Sequence, residues 1–241
     1  MVNHEKRMLK YPTQFSNEQK SLIYGSLLGD ACIHKPKNRK YARFQVKHSI
    51  AQTAYLKHKF DIMRPWINYD EPAISDDKSG YIGLPRIVFY TTSHPLFNEI
   101  HSEFYEGKTK IVTPSILNKI DKLALAFWFS DDGTYIHTPA NYSHIARIST
   151  ESFTTEENEM IRDWFKDRWN IKCSLQSKGN NIFRLHFSNV PARELTNLIK
   201  PYVIPEMLFK TELPHNESSP EFPCDKTTHN DMTQMLHQFN T

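Results

Sequence analysis

Apolar positions along the chain recur at helical and at alternating spacing, and one succession of such segments occurs twice. Ser16-Asn17-Glu18-Gln19 has the S-x-x-Q form of a capping box and predicts a helix start. Leu22, Ile23, Tyr24, Leu27 and Leu28 carry that helix to Gly29-Asp30. A basic stretch and a strand over 42–47 follow. Apolar Ala54, Tyr55, Phe60, Ile62 and Met63 then predict a helix over 51–66. A β-branched run predicts a strand over 86–92, and Pro95 starts a helix over 94–105.

The second succession keeps that order. A helix through 123–129 ends at Asp131-Asp132-Gly133. A polar stretch, a strand over 146–150, a helix over 156–169, a strand over 182–188 and a Pro-started helix over 191–202 follow. The helix-ending Asp30 and Asp132 are 102 residues apart, and Pro95 and Pro191 are 96 apart. A near-constant offset predicts an α+β chain of two pseudo-symmetric αββαββα subdomains related by a pseudo-two-fold axis. The expected bounds are an arm over 1–13, a first repeat over 14–107, a linker over 108–121 and a second repeat over 122–213. A polar tail over 214–241 completes the chain, with a short helical end near 231–239.

Composition removes several classes of function. No apolar run approaches the roughly 18 residues of a membrane span. The N-terminal MVNHEKRMLK lacks an apolar signal core and carries Glu5. The expectation is a chain that stays where it is made, in cytoplasm, nucleoid or organelle matrix. Cys32, Cys173 and Cys224 make no CxxC pair, and none of the 12 histidines falls in an HExxH arrangement. Net charge is only +3, but residues 1–50 hold ten Lys/Arg against three acids. The rest holds 20 against 24, so the basic first fifth points to a local patch for a polyanion.

The two aspartates carry the chemistry. Each ends an apolar helix that includes small residues: Gly25, Ser26 and Gly29 in the first, Ala124, Ala126 and Ser130 in the second. Small residues four apart share a helix face and let two backbones approach closely. Packing the two helices at the pseudo-dyad would bring Asp30 and Asp132 together. A carboxylate at a helix C-terminus meets the negative end of the dipole, and two converging there repel. A hard divalent cation answers both problems and leaves room for phosphate oxygens.

The segments Ile23-Tyr24-Gly25-Ser26-Leu27-Leu28-Gly29-Asp30-Ala31 and Leu125-Ala126-Phe127-Trp128-Phe129-Ser130-Asp131-Asp132-Gly133 resemble the paired motifs of LAGLIDADG homing endonucleases, in their single-chain, two-motif branch. RFQVKHSIAQTAYL (43–56), STESFTTEE (149–157) and LIKPYVIPEMLFK (198–210) extend the resemblance over about 14–213. Ala31 stands where glycine is commoner, and Ser130 and Asp131 precede the second acid.

The resemblance implies that fold, with a saddle-shaped antiparallel sheet for DNA. It implies metal-dependent hydrolysis of both strands of a long site, leaving short 3′ overhangs. Asp30 and Asp132 would bind metal, with Gly29 and Asp131 just before them as further ligand candidates. Asp131 is the rival acid of the second motif; register favours Asp132 and leaves Asp131 to face solvent or accept a hydrogen bond. A basic residue is implied in each half: Lys210 in the second, Lys110 or Lys108 in the first. Gln45 and Ser149 would lie near the attacking water. The implied cofactor is Mg²⁺, with Mn²⁺ substituting and Ca²⁺ binding without supporting cleavage.

Strands would supply the DNA contacts, alternate side chains reaching bases and phosphates. Candidates are Lys35, Lys37, Arg39, Lys40, Arg43, Lys47 and Arg86 from the first repeat. Tyr135, His137, Asn141, Arg147, Ser149, Lys178, Asn180 and Arg184 come from the second. Unequal halves imply an asymmetric target, read by a monomer. Expected partners are double-stranded DNA and the host intron RNA. Competing readings are a maturase, a non-catalytic DNA-binding regulator on the same scaffold, and a structural α/β protein.

Overall fold

The computed structural model of the protein describes residues 10–35, 37, 39–75, 85–138 and 143–212. Most of the N-terminal arm, Asn141 and the tail with its helical end therefore lie outside the described residues.

Ser16 caps the first helix, α1 (Asn17–Leu28), by the reciprocal bonding of a capping box. Its Oγ accepts from Gln19 N–H and its own N–H donates to Gln19 Oε1, both at 3.1 Å. Two antiparallel strands follow, β1 (Cys32–His34) and β2 (Arg43–Ser49), then α2 (Thr53–Met63). Strands β3 (Ala73–Ser75) and β4 (Arg86–Tyr90) and helix α3 (Pro95–Phe104) complete the first repeat. The stretch expected as a linker is ordered. It supplies β6 (Thr109–Lys110), which forms a small hairpin with β5 (Tyr105–Glu106) at the end of the first repeat, and a helix α4 (Pro114–Asn118). Gly107 turns that hairpin at φ 62°, a conformation that suits glycine.

The second repeat runs α5 (Lys122–Asp132), β7 (Gly133–Thr138), β8 (Ser143–Ile148), α6 (Thr155–Trp169), β9 (Ser174–Gly179), β10 (Ile182–Ser188) and α7 (Val190–Ile199). Thr154 opens α6 with a second capping box, closed by Glu157. The two sheets share one topology, in the orders β1-β2-β4-β3 and β7-β8-β10-β9. Cys32 pairs with Gln45 in one sheet and Thr134 with Arg147 in the other, so the 102-residue offset holds in strand register.

Strand β2 alternates buried and half-buried residues: Phe44, Val46 and His48 point inward, Arg43, Gln45, Lys47 and Ser49 outward. Helices α2 and α3 cover the inner face of the first sheet, and α6 and α7 that of the second. Each large side chain sealed there, such as Phe44, Phe89, Phe165 or Phe187, contributes about 1.5–3 kcal/mol.

Helices α1 and α5 are buried around nearly their whole circumference, which explains their lack of a polar face. They lie side by side and parallel. Ser21 Oγ donates to Asp121 Oδ2 at 2.7 Å where the helices start, and Asp121 also caps α5. At Gly25 a Cβ would stand 2.1 Å from the carbonyl oxygen of Ala124. Near the helix ends, a Cβ on Gly29 would stand 2.5 Å from that of Asp131.

Gly25→Ala should therefore lower stability in chemical denaturation by about 3 kcal/mol, because the obstacle is backbone. Ser26→Ala, at a neighbouring buried hydroxyl without a hydrogen-bond partner, should be neutral or stabilising. Equal effects of the two would contradict this packing.

Candidate active site

Parallel packing of α1 and α5 delivers Asp30 and Asp132 to the same end of the helix pair. Two residues after each acid, Cys32 and Thr134 pair with outward-facing Gln45 and Arg147. The acids thus sit between the open faces of both sheets.

Their environments differ. The Asp30 side chain is 45% exposed. Burial works against its charge, but His48, with Nδ1 3.4 Å from Oδ2, and the charges of Lys59 and Lys210 prevail and lower its pKa. Asp132 is pushed up to about 8 by burial and by the charges of Asp30 and Asp131, which outweigh Lys110 and Lys210. Among the described residues its carboxylate makes no hydrogen bond or ion pair. Two carboxylates, one of them unpartnered and costly to ionise, are a donor set suited to a hard divalent cation.

Two lysines close the helix ends. Lys110 Nζ donates to the carbonyl oxygens of Gly29 (3.2 Å) and Ala31 (3.1 Å). Lys210 Nζ donates to those of Ser130 (2.6 Å) and Asp131 (3.1 Å). Each satisfies terminal carbonyls that the helix leaves free and offsets the negative end of its dipole. Burial lowers the pKa of both ammonium groups. Lys108, the alternative in the first repeat, is exposed in the hairpin turn.

Of the two places expected for Asp131, solvent or a hydrogen bond, the second holds. Its side chain has no exposure at all, so it does not face solvent. Oδ1 takes Lys59 Nζ at 2.6 Å and the Tyr55 hydroxyl at 2.8 Å, and Oδ2 lies 3.4 Å from the Asp30 N–H. Asp30, His48 and Asp131 offer ligand atoms within 4.8 Å of one another. The Lys59 ammonium already lies against two of the three, 2.6 Å from Asp131 Oδ1 and 3.2 Å from His48 Nε2. Of the metal-ligand candidates, Gly29 and Asp131 present carbonyl oxygens that accept from the two lysines. The Asp131 carboxylate is committed to Lys59 and Tyr55.

Sequence reading passed over His48, Lys59 and Tyr55. Lys59 carried a signal, since it interrupts the buried stripe Tyr55, Leu56, Phe60, Met63 on α2. His48 likewise follows Phe44 and Val46 at inward parity on β2.

On the open face of the first sheet, register groups Arg43, Gln45 and Lys47 with Arg86 and Tyr90. The Arg43 guanidinium stacks over the Tyr90 ring at 4.2 Å. Lys35, Lys37, Arg39 and Lys40 are exposed between β1 and β2. In the second sheet Arg147 and Arg184 share the open face, and Arg184 Nε donates to Gln176 Oε1 at 2.8 Å. Ser149 is exposed beside the second acid, its N–H donating to the Asp132 carbonyl at 3.0 Å. Lys178 and Asn180 are exposed at the β9–β10 turn, where Asn180 and Asn181 have φ of 50° and 57°.

Tyr135 and His137 are corrected. Tyr135 pairs with buried Ala146 and His137 with His144, on the helix-covered face, while Thr134 and Ile136 point to the open one. The Tyr135 hydroxyl is spent on His144 Nδ1 at 2.7 Å.

The sequence profile of the LAGLIDADG DNA endonuclease family matches residues 20–195, and the chain belongs to that family. It is 30% identical over 205 residues to the probable intron-encoded endonuclease 1 of Wickerhamomyces canadensis, covering 82% of this chain and 85% of that protein. It is 26% identical to the cytochrome b mRNA maturase bI2 of Debaryomyces hansenii, over 87% of this chain and 83% of the relative. The solved structure of the homing endonuclease I-WcaI bound to its DNA recognition sequence superposes with a TM-score of 0.78 at 25% identity. That match covers 88% of this chain and 93% of the other. Among the described residues no helix is long and apolar enough to cross a membrane.

The two acids generate a pH test. Asp132 ionises in the unfolded chain near 3.8 but in the folded, metal-free protein only near 8. Its burden on folding therefore grows as pH rises between those values and is complete above the upper one. Asp132→Asn should remove that burden. Between pH 5 and 9 the metal-free wild type should lose stability relative to the variant, on the order of 2 kcal/mol in urea denaturation. Parallel pH profiles would contradict the assignment.

Proposed function

We propose that the protein is a site-specific homing endonuclease that hydrolyses both strands of a long asymmetric duplex site and leaves short 3′ overhangs. The observation carrying this reading is the convergence of Asp30 and Asp132 at the ends of two abutting helices, between two sheets whose open faces carry arginines and lysines. Family membership and the likeness to a DNA-bound homing endonuclease support it.

Asp30 and Asp132 would hold divalent cations, with Mg²⁺ the natural choice for hard oxygen donors at exchangeable positions. Mn²⁺ should substitute, and Ca²⁺ should bind without supporting cleavage. When bound, the cation neutralises charge on the scissile phosphate and acidifies water. The carbonyls of Gly29 and Asp131, which accept from Lys110 and Lys210, would be the further oxygen donors. Lys110 and Lys210, anchored on the helix ends, place positive charge beside each acid, where it favours the phosphorane-like transition state. Gln45 and Ser149 border the acids and would orient water or phosphate.

Arg43, Lys47, Arg86, Arg147 and Arg184, with Lys35, Lys37, Arg39, Lys40, Lys178 and Asn180 around them, would contact DNA. Phosphate contacts would supply affinity and salt dependence; arginine contacts to base edges would supply preference. Arg43 and Arg184 are already oriented, by Tyr90 and Gln176, which favours them as base readers. The two open faces carry different side chains, which suits an asymmetric site bound by a monomer. A second reading, binding of the host intron RNA, is favoured by the likeness to a relative named as a maturase.

Selection of cleaved sites from a randomised duplex library with Mg²⁺ tests the first reading. Wild type should yield one long asymmetric site. Asp30→Asn and Asp132→Asn should bind that site yet cut it at least about 1000-fold more slowly. Absence of any cut duplex, together with tight binding of one structured RNA, would replace the endonuclease with the maturase.

A further inference from the structure

Beneath the acid pair the two halves of the chain differ. In the first repeat a line of buried polar groups runs from one motif helix to the other. Asp131 on α5 holds Lys59 of α2, and Lys59 Nζ lies 3.2 Å from Nε2 of His48 on β2. The Lys59 side chain has no exposure and that of His48 is 1% exposed. An ammonium has only hydrogens to offer, so the Nε2 it meets is the lone-pair nitrogen and the ring proton sits on Nδ1. His48 thus sets its Nδ1–H beside Asp30 Oδ2, 3.4 Å away and short of a completed hydrogen bond.

Among the described residues nothing comparable stands under Asp132. The 102-residue offset sets Thr150 at the place of His48, Ile161 at that of Lys59 and Glu157 at that of Tyr55. Gly29, without a side chain, takes the place of Asp131. Thr150 is spent on Asn158 at 2.5 Å, Ile161 is wholly buried, and Glu157 caps its helix and accepts from the Val112 N–H at 2.7 Å. Ile161 shows that this fold accepts an apolar side chain where Lys59 lies. A buried lysine, imidazole and carboxylate cost desolvation that apolar residues would avoid, so the trio is not there for stability. What it changes is the seating of one catalytic-site acid. A ligand already fixed in place loses less freedom when cation and phosphate arrive.

Resting on the endonuclease reading, we propose that His48, Lys59 and Asp131 are positioning residues for Asp30 alone. They make the two halves of the site unequal and the two strand cuts sequential, the strand served by Asp30 being cut first.

A duplex carrying the selected site, with a different dye on each strand, reads the two cuts separately. Wild type in Mg²⁺ should cut one strand at least about fivefold faster than the other. His48→Leu should slow that faster cut about 10-fold and leave the slower one within about twofold. His48→Asn, whose amide nitrogen can stand at the Nδ1 place, should restore the bias. If His48→Leu fails to fold, Lys59→Ile with Asp131→Asn, which sets the second repeat's isoleucine at the lysine's place and removes the charge left without its partner, should lose the bias instead. A second readout needs no metal: nitrogen NMR of the metal-free chain should place the His48 ring proton on Nδ1, with Nε2 bare.

Equal wild-type rates, proportionate slowing of both cuts, or an Nε2–H tautomer would overturn the proposal. A wild type that cuts no duplex at all would remove the endonuclease reading, and this proposal with it.

Discussion

A Cβ on Gly25 would stand 2.1 Å from the carbonyl oxygen of Ala124, so the backbones of α1 and α5 are in near-contact there. That approach requires glycine on one helix and a small residue on the other, and both helices are buried around nearly their whole circumference. Because the helices run parallel, their closeness is passed along to their ends, where Gly29 again yields space to Asp131. The acids then have nowhere to be but together. Electrostatic cost follows from packing: two carboxylates meet at the negative ends of two helices, and one of them becomes hard to ionise. The lysines on the helix-end carbonyls reduce that cost without neutralising the acids directly.

Duplication supplies this arrangement, and divergence has made it unequal. Both repeats keep the sheet order, the strand register and a lysine on the motif helix. They differ in what lies under the acid. The second repeat fills that space with Ile161 and a Thr150–Asn158 pair, and the first fills it with His48 and Lys59. The Asp131 side chain crosses from the second repeat to complete the first, so the asymmetry belongs to the assembled pair of helices. The same inequality marks the open faces, where Gln45 and Lys47 of one sheet stand opposite Arg147 and Ser149 of the other.

Much of the architecture was legible because it is written in local signals. The Ser16 capping box, proline helix starts at Pro95 and Pro191, and the 102-residue recurrence each act within a few residues or by simple repetition. The acid pair and Lys110 and Lys210 came from the same recurrence and the family resemblance. Short strands such as β1 and β3 escaped, since three residues cannot display alternation. Tyr135 and His137 stand in a stretch read only as polar, where no strand and hence no parity was assigned. Only pairing with Ala146 and His144 reveals that they face the helices. The Asp131–Lys59 pair joins residues 72 apart in the chain, across the two repeats, and no local pattern specifies such a partner.

The most direct test is anomalous diffraction from crystals of the protein bound to its selected duplex in Mn²⁺. Manganese should lie between the carboxylates of Asp30 and Asp132, with the Asp131 carboxylate still on Lys59 and outside the coordination sphere. Manganese held by the side chains of Asp131 and His48, or none near either motif acid, would contradict the assignment.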